Sequence, residues 1–176
     1  MAERDLRKSG NENLRVNSQI IDLAVLRLLS LFLADKEIQK LISNRFFPYS
    51  WSILDETKEE QIVHHLIEIA TLYRTQEYQI VMPKEKKKEM QKKRIVGDLL
   101  EPIGSPKKSL IMIEACNKII HADTFNYDER KLPKYSLTYL YPRIYIYGKK
   151  YTKKWKAILD ITKFCKQALR YDPPAI

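Results

Sequence analysis

Three polar side chains stand at a spacing that could do acid–base chemistry. Glu114, Asn117 and His121 occupy positions i, i+3 and i+7 of the segment SPKKSLIMIEACNKIIHAD, residues 105–123. At about 100° per residue a helix gathers them on one face with Lys118, while Met112, Ile113, Cys116, Ile119 and Ile120 share the opposite face. His121 titrates nearest neutrality and could remove or deliver a proton. Glu114 could orient or stabilise that imidazole, and the Asn117 amide could donate to a phosphate oxygen. The spacing equally suits an ordinary amphipathic helix whose closing histidine meets the negative end of the helix dipole.

A helix over 105–122 must position these groups. Ser105-Pro106 suits its start, because serine caps and proline occupies the first turn, where its missing N–H costs nothing. Upstream, residues 1–16 read as a flexible polar arm. The dense apolar stretch from Ile20 to Leu33 predicts a helix beginning near Asn17 or Ser18 and buried on most sides. A short helix follows around 36–42. Ile62, Leu66, Ile69, Ala70 and Tyr73, at three- and four-residue spacing, predict an amphipathic helix over 57–79. The lysine-rich stretch 84–94 reads as helix. The period then changes: 137–147 and 151–159 are rich in Tyr and Ile around Gly148-Lys149-Lys150, which predicts a β-hairpin. Pro142 implies that the first of these strands is an edge or is bulged there. A last helix is expected over 160–170. The fold class implied is mainly α: a helical bundle over 17–122, with a C-terminal hairpin and a final short helix over 137–171, in a single domain.

The segment Asn117-Lys118-Ile119-Ile120-His121 resembles the signature of the HEPN superfamily, an Arg, a polar residue that is often Asn, three residues and a His near a helix end. Cys116–Ala122, a following strand pair, and Leu159-Asp160-Ile161 with Phe164 resemble a group of bacterial and mobile-element proteins. The resemblance covers about 105–171. It implies a HEPN-like helical bundle, a homodimer, and metal-independent RNA cleavage in which His121 is general acid or base, Asn117 positions phosphate and Glu114 orients. It also implies a setting in phage or mobile-element conflict. The family's arginine position holds Cys116, which cannot supply a fixed cation to a developing phosphorane. Lys118 is the nearest substitute. A non-catalytic interaction module is the alternative.

Charge points the same way. The net charge is +10, and two clusters account for all of it. The first is Lys84, Lys86, Lys87, Lys88, Lys92, Lys93 and Arg94, offset by Glu85 and Glu89. The second is Arg143, Lys149, Lys150, Lys153, Lys154 and Lys156, with no acid inside it. Tyr139, Tyr141, Tyr145, Tyr147, Tyr151 and Trp155 interleave with the second. Cations for phosphates beside rings for stacking suit a nucleic-acid partner, with RNA favoured. In the plainer reading the strand aromatics face the core and the lysines keep an outer face wet and guard an edge.

Other chemistry finds little support. Gly is scarce, at 4 residues, which speaks against a glycine-rich phosphate loop. His64 and His65 are adjacent, so helical geometry points them about 100° apart, and one of them is expected to face the core with a hydrogen bond. No HxxxH, CxxC or HExxH spacing occurs, and no metal or cofactor is expected. Cys116 and Cys165 read as buried free thiols, which suits a reducing compartment. The apolar run 20–34 is shorter than the roughly 20 residues a membrane span needs and contains Asp22 and Arg27. The start of the chain is polar rather than a secretory signal. A cytoplasmic location is therefore expected.

Overall fold

The computed structural model describes residues 10–43, 51–79, 83–133 and 137–169. Among the described residues there are six helices: α1 (Gly10–Leu33), α2 (Asp35–Ser43), α3 (Trp51–Gln79), α4 (Lys84–Lys92), α5 (Met112–Ile120) and α6 (Ile161–Leu169). Five strands accompany them: β1 (Ile95–Leu100), β2 (Lys108–Ile111), β3 (Thr124–Lys131), β4 (Thr138–Lys150) and β5 (Lys153–Asp160). The strands form one sheet in the order β2-β1-β5-β4-β3, antiparallel throughout.

The mainly α, HEPN-like bundle expected from the sequence is therefore corrected to a mixed fold of helices packed on a five-stranded sheet. The hairpin is present, as β4 and β5, but it is the middle of the sheet. Three strands were hidden. In β1, IVGDLL, Gly97 reads as a break. It is instead a close approach, since a Cβ there would stand 1.9 Å from the carbonyl oxygen of Ile158 on β5. In β2, the Ser105-Pro106 start signal precedes a strand, and the helix begins only at Met112 after Ile111, with no side-chain cap. In β3, only Phe125 and Tyr127 pack inward and a charged run follows, so the period-2 signal is short.

Other boundaries move less. α1 begins at Gly10, inside the segment read as a polar arm. Nor is it buried on most sides: Leu23, Leu26 and Leu33 are exposed, Leu26 by 62%. The helices expected near 36–42, 57–79, 84–94 and 160–170 are all present. Asp160 caps α6, its Oδ1 accepting the Lys163 N–H at 3.0 Å.

One core lies between the helices and one face of the sheet. Ile21, Leu28 and Phe32 of α1, Leu66, Ile69 and Tyr73 of α3, Met112, Cys116 and Ile119 of α5, and Phe164 of α6 meet Leu140, Ile144, Ile146, Trp155, Ala157 and Leu159 of the hairpin. Pro142 sits where the β3–β4 register shifts. Tyr127 pairs with Ile144 but Asp128 pairs with Tyr141, leaving Pro142 and Arg143 looped out of that ladder. The missing N–H of proline costs nothing at such a bulge. Beyond Arg143 the β5 ladder ends, and α2 takes over: Asp35 Oδ2 accepts the Leu140 N–H at 2.6 Å.

Candidate functional site

Side chains of a strand alternate between faces, and residues directly paired across an antiparallel ladder share one. On β4, Leu140, Ile144, Ile146 and Gly148 are buried, while Tyr139, Tyr141, Arg143, Tyr145 and Tyr147 are half-exposed between them. Tyr147 pairs with Lys156, Lys149 with Lys154, and Tyr145 with Ile158. On the other side Asn126 pairs with Tyr145, Asp128 with Tyr141 and Arg130 with Tyr139. None of these half-exposed β4 residues or their outward partners belongs to the core cluster. The face of the sheet turned away from the core is thus a row of four tyrosines flanked by Arg130, Arg143, Lys149, Lys154 and Lys156.

The cations lie over the rings. Lys156 Nζ is 4.6 Å from the Tyr145 ring centre and 5.2 Å from that of Tyr147. Arg143 stands 5.5 Å from the Tyr141 centre and its Nη1 reaches Asp128 Oδ2 at 3.5 Å. From α2, Lys36 lies 5.3 Å from the Tyr139 centre. Each contact is worth about 0.5–1 kcal/mol at an exposed site, enough to order a ring without locking it. The plainer reading, in which the strand aromatics face the core, fails for Tyr139, Tyr141, Tyr145 and Tyr147 and holds for Trp155, which is buried against Gly148 and so drops out of the stacking set.

The second lysine cluster divides by face. Lys149 and Lys154 join the tyrosines, whereas Lys150 and Lys153, paired with each other, alternate to the side of Gly148 and Trp155. Lys150 accordingly acts on Glu114 of α5, on the helical side of the sheet. The first cluster divides too. Lys84, Lys86, Lys88, Lys92 and Lys93 are exposed on and after α4. Lys87 and Arg94 are turned to buried Glu77: Lys87 Nζ donates to the Glu77 carbonyl, and Arg94 Nη1 reaches Glu77 Oε1 at 3.1 Å and donates to the Tyr73 hydroxyl. Burial raises the Tyr73 pKa well above its usual range, so it stays a neutral partner.

The trio on α5 is placed as follows. Asn117 and His121 are exposed, His121 ending the helix with its N–H on the Asn117 carbonyl at 3.1 Å. Lys118 is instead buried, 9% exposed, with Nζ 2.8 Å from Glu101 Oε2 and 4.4 Å from the Trp155 ring centre. It is held inward, away from Asn117 and His121. Glu114 is half-buried. Burial raises its pKa, Glu101 adds to the rise, and Lys118, Lys108 and Lys150 oppose it. Cys116, at the position of the family's arginine, is buried and free, as is Cys165. Burial pushes the Cys165 thiol up to about 12 and Cys116 higher still, so neither is a nucleophile at neutral pH.

His65 is buried with Nδ1 3.2 Å from Glu68 Oε2, and His64 is exposed, as expected for the pair. Sequence reasoning missed Asn126, Asp128 and Arg130. The alternation of Phe125 and Tyr127 within TFNYDERK is the signal that would have placed them outward. Comparison of the chain with protein-family models, curated proteins and solved structures returned no match.

Proposed function

We propose that this chain binds single-stranded nucleic acid, RNA in the first instance, across the tyrosine face of its sheet. One observation carries the reading: Tyr139, Tyr141, Tyr145 and Tyr147 alternate onto the face away from the core, beside Arg143, Lys149, Lys154 and Lys156. Burying those rings against the helices was open to the sequence, and the core takes Leu140, Ile144 and Ile146 instead. Tyr139 and Tyr141, and again Tyr145 and Tyr147, are two residues apart on one face, about 6.6–6.8 Å, with Arg143 between the two pairs, so each offers its own ring for stacking. Stacking needs unpaired bases, and the cations beside the rings suit the phosphates joining them. RNA is favoured because its recognition by proteins is centred on unpaired, splayed bases. A cytoplasmic location fits the same reading: among the described residues no helix is long and apolar enough to cross a membrane, and both cysteines are free.

The test is fluorescence anisotropy of a labelled uridine 12-mer, single-stranded or annealed to its complement, with the full chain at low salt. The single strand is expected to bind more tightly than the duplex by about tenfold or more, since the duplex hides its base faces. Equal affinity for the two, or no binding, overturns the reading.

A further inference from the structure

Independently of nucleic-acid binding, we propose that His64, His65 and Glu68 of α3 form a zinc(II) site. Neighbouring helix positions diverge at Cα, but an imidazole carries its nitrogens well out from the backbone. The two rings stand with centres 5.2 Å apart, edge to face. One ligand atom from each of His64, His65 and Glu68 lies within 4.8 Å of the others. The His65 Nδ1 and Glu68 Oε2 atoms are already 3.2 Å apart. Two donors at about 2.0–2.2 Å on one tetrahedral ion are separated by roughly 3.4 Å, so this pair is at chelating distance. Zinc would take the place of the proton they share.

His65 is 7% exposed, so packing fixes its ring before any ion arrives. His64 is exposed and can swing inward by rotation about its side-chain bonds to close the remaining gap. Two imidazoles and one carboxylate favour zinc over magnesium or calcium, which want oxygen throughout, and over copper(I), which wants sulfur. Three protein ligands leave the fourth position to water, on the exposed side of the site.

The experiment is titration of the full chain with cobalt(II), read by its visible ligand-field bands, then zinc competition and calorimetry. The chain has three histidines in all, which makes His121→Ala the matched control. Expected are one ion per chain, a tetrahedral cobalt spectrum, affinity reduced by about tenfold or more in His64→Ala and in Glu68→Gln, and no change in His121→Ala. His64 is exposed, so its substitution leaves the fold intact by circular dichroism, and His64→Gln gives a second reading. No binding, affinity unchanged in His64→Ala and Glu68→Gln, or affinity lost in His121→Ala overturns the proposal.

Discussion

The guanidinium carbon of Arg130 lies 3.2 Å from the centre of the Tyr141 ring. Arg130 is exposed on β3, and Tyr141 is the outward residue next along β4 from its direct partner Tyr139. The arginine rests where a base would stack. In the proposed complex a bound base would displace it, leaving the released cation free to meet a phosphate, or would take the ring's other side. Tyr141→Ala is expected to weaken single-stranded RNA binding by about 5- to 100-fold, as loss of one stacking ring predicts, with the fold intact. Tyr141→Phe keeps the ring and is expected to bind within about threefold of wild type, because stacking uses the π face and not the hydroxyl. Anisotropy titrations of the two variants side by side check this.

The division of the hairpin lysines gives a second prediction. Lys149 and Lys154 share the tyrosine face, while Lys150 and Lys153 point to the other side. Each phosphate contact to a single strand contributes about 0.7 to the slope of log affinity against log salt. Lys149→Gln with Lys154→Gln is expected to reduce that slope by about 1.4. Lys150→Gln with Lys153→Gln removes the same net charge and is expected to leave it nearly unchanged. Titrations at four or five salt concentrations separate the two pairs.

Glu77 is expected to matter for stability and not for binding. Its side chain is 4% exposed and holds Arg94 at 3.1 Å and Lys87 at 3.8 Å, while Gln91 Nε2 donates at 3.4 Å. It ties the end of α3 to α4 and to the entry of β1. Removing one partner leaves a half-buried cation without its counter-charge, which costs about 3–5 kcal/mol for a fully buried pair and somewhat less here. Glu77→Ala is expected to lower the urea midpoint strongly, with RNA affinity of the folded fraction unchanged.

Glu114 sets a pH dependence. Burial raises its pKa from 4.5 and Glu101 adds to the rise, against Lys118, Lys108 and Lys150. A carboxyl group with a raised folded-state pKa binds its proton more tightly when folded. Its contribution to stability is therefore fully present below the unfolded value and is lost as pH rises through the folded value. Glu114→Gln, which is uncharged throughout, is expected to be more stable than wild type at pH 7. The gap should close as pH falls below about 4.5. Urea unfolding of both proteins from pH 4 to pH 8 checks the sign.

Much of the fold was legible, and its failures have physical causes. The helix over 57–79 announced itself by apolar spacing, the last helix was placed over 160–170, where the structure has it, and the hairpin announced itself by its Tyr and Ile content. Pro142 signalled its bulge. What was lost were β1, whose partner β5 is distant in sequence, and two strands, β2 and β3, that pair locally but carry little alternating apolar signal. β1 is six residues pairing with β5 more than fifty positions on, and β2 is four residues behind a false helix start. Local propensity cannot see a partner as distant as β5, and it is weak in strands this short or this charged. The platform was half legible: the tyrosines and lysines stood in the sequence, but which face they took depended on whether helices or solvent met that side. Lys118 misled because a helical wheel assigns it to the polar face, while Glu101 and Trp155, both far along the chain, draw it inward.

The central claim is that the tyrosine face is where the nucleic acid lies. Amide chemical-shift mapping of the ¹⁵N-labelled chain, titrated with a uridine 12-mer, tests it most directly. Perturbations are expected along 139–149 and 154–158, with matching changes at 126–130 across the ladder, and little change on α4. Shifts confined to α4 and its exposed lysines, or to the end of α5 around Asn117 and His121, would contradict it.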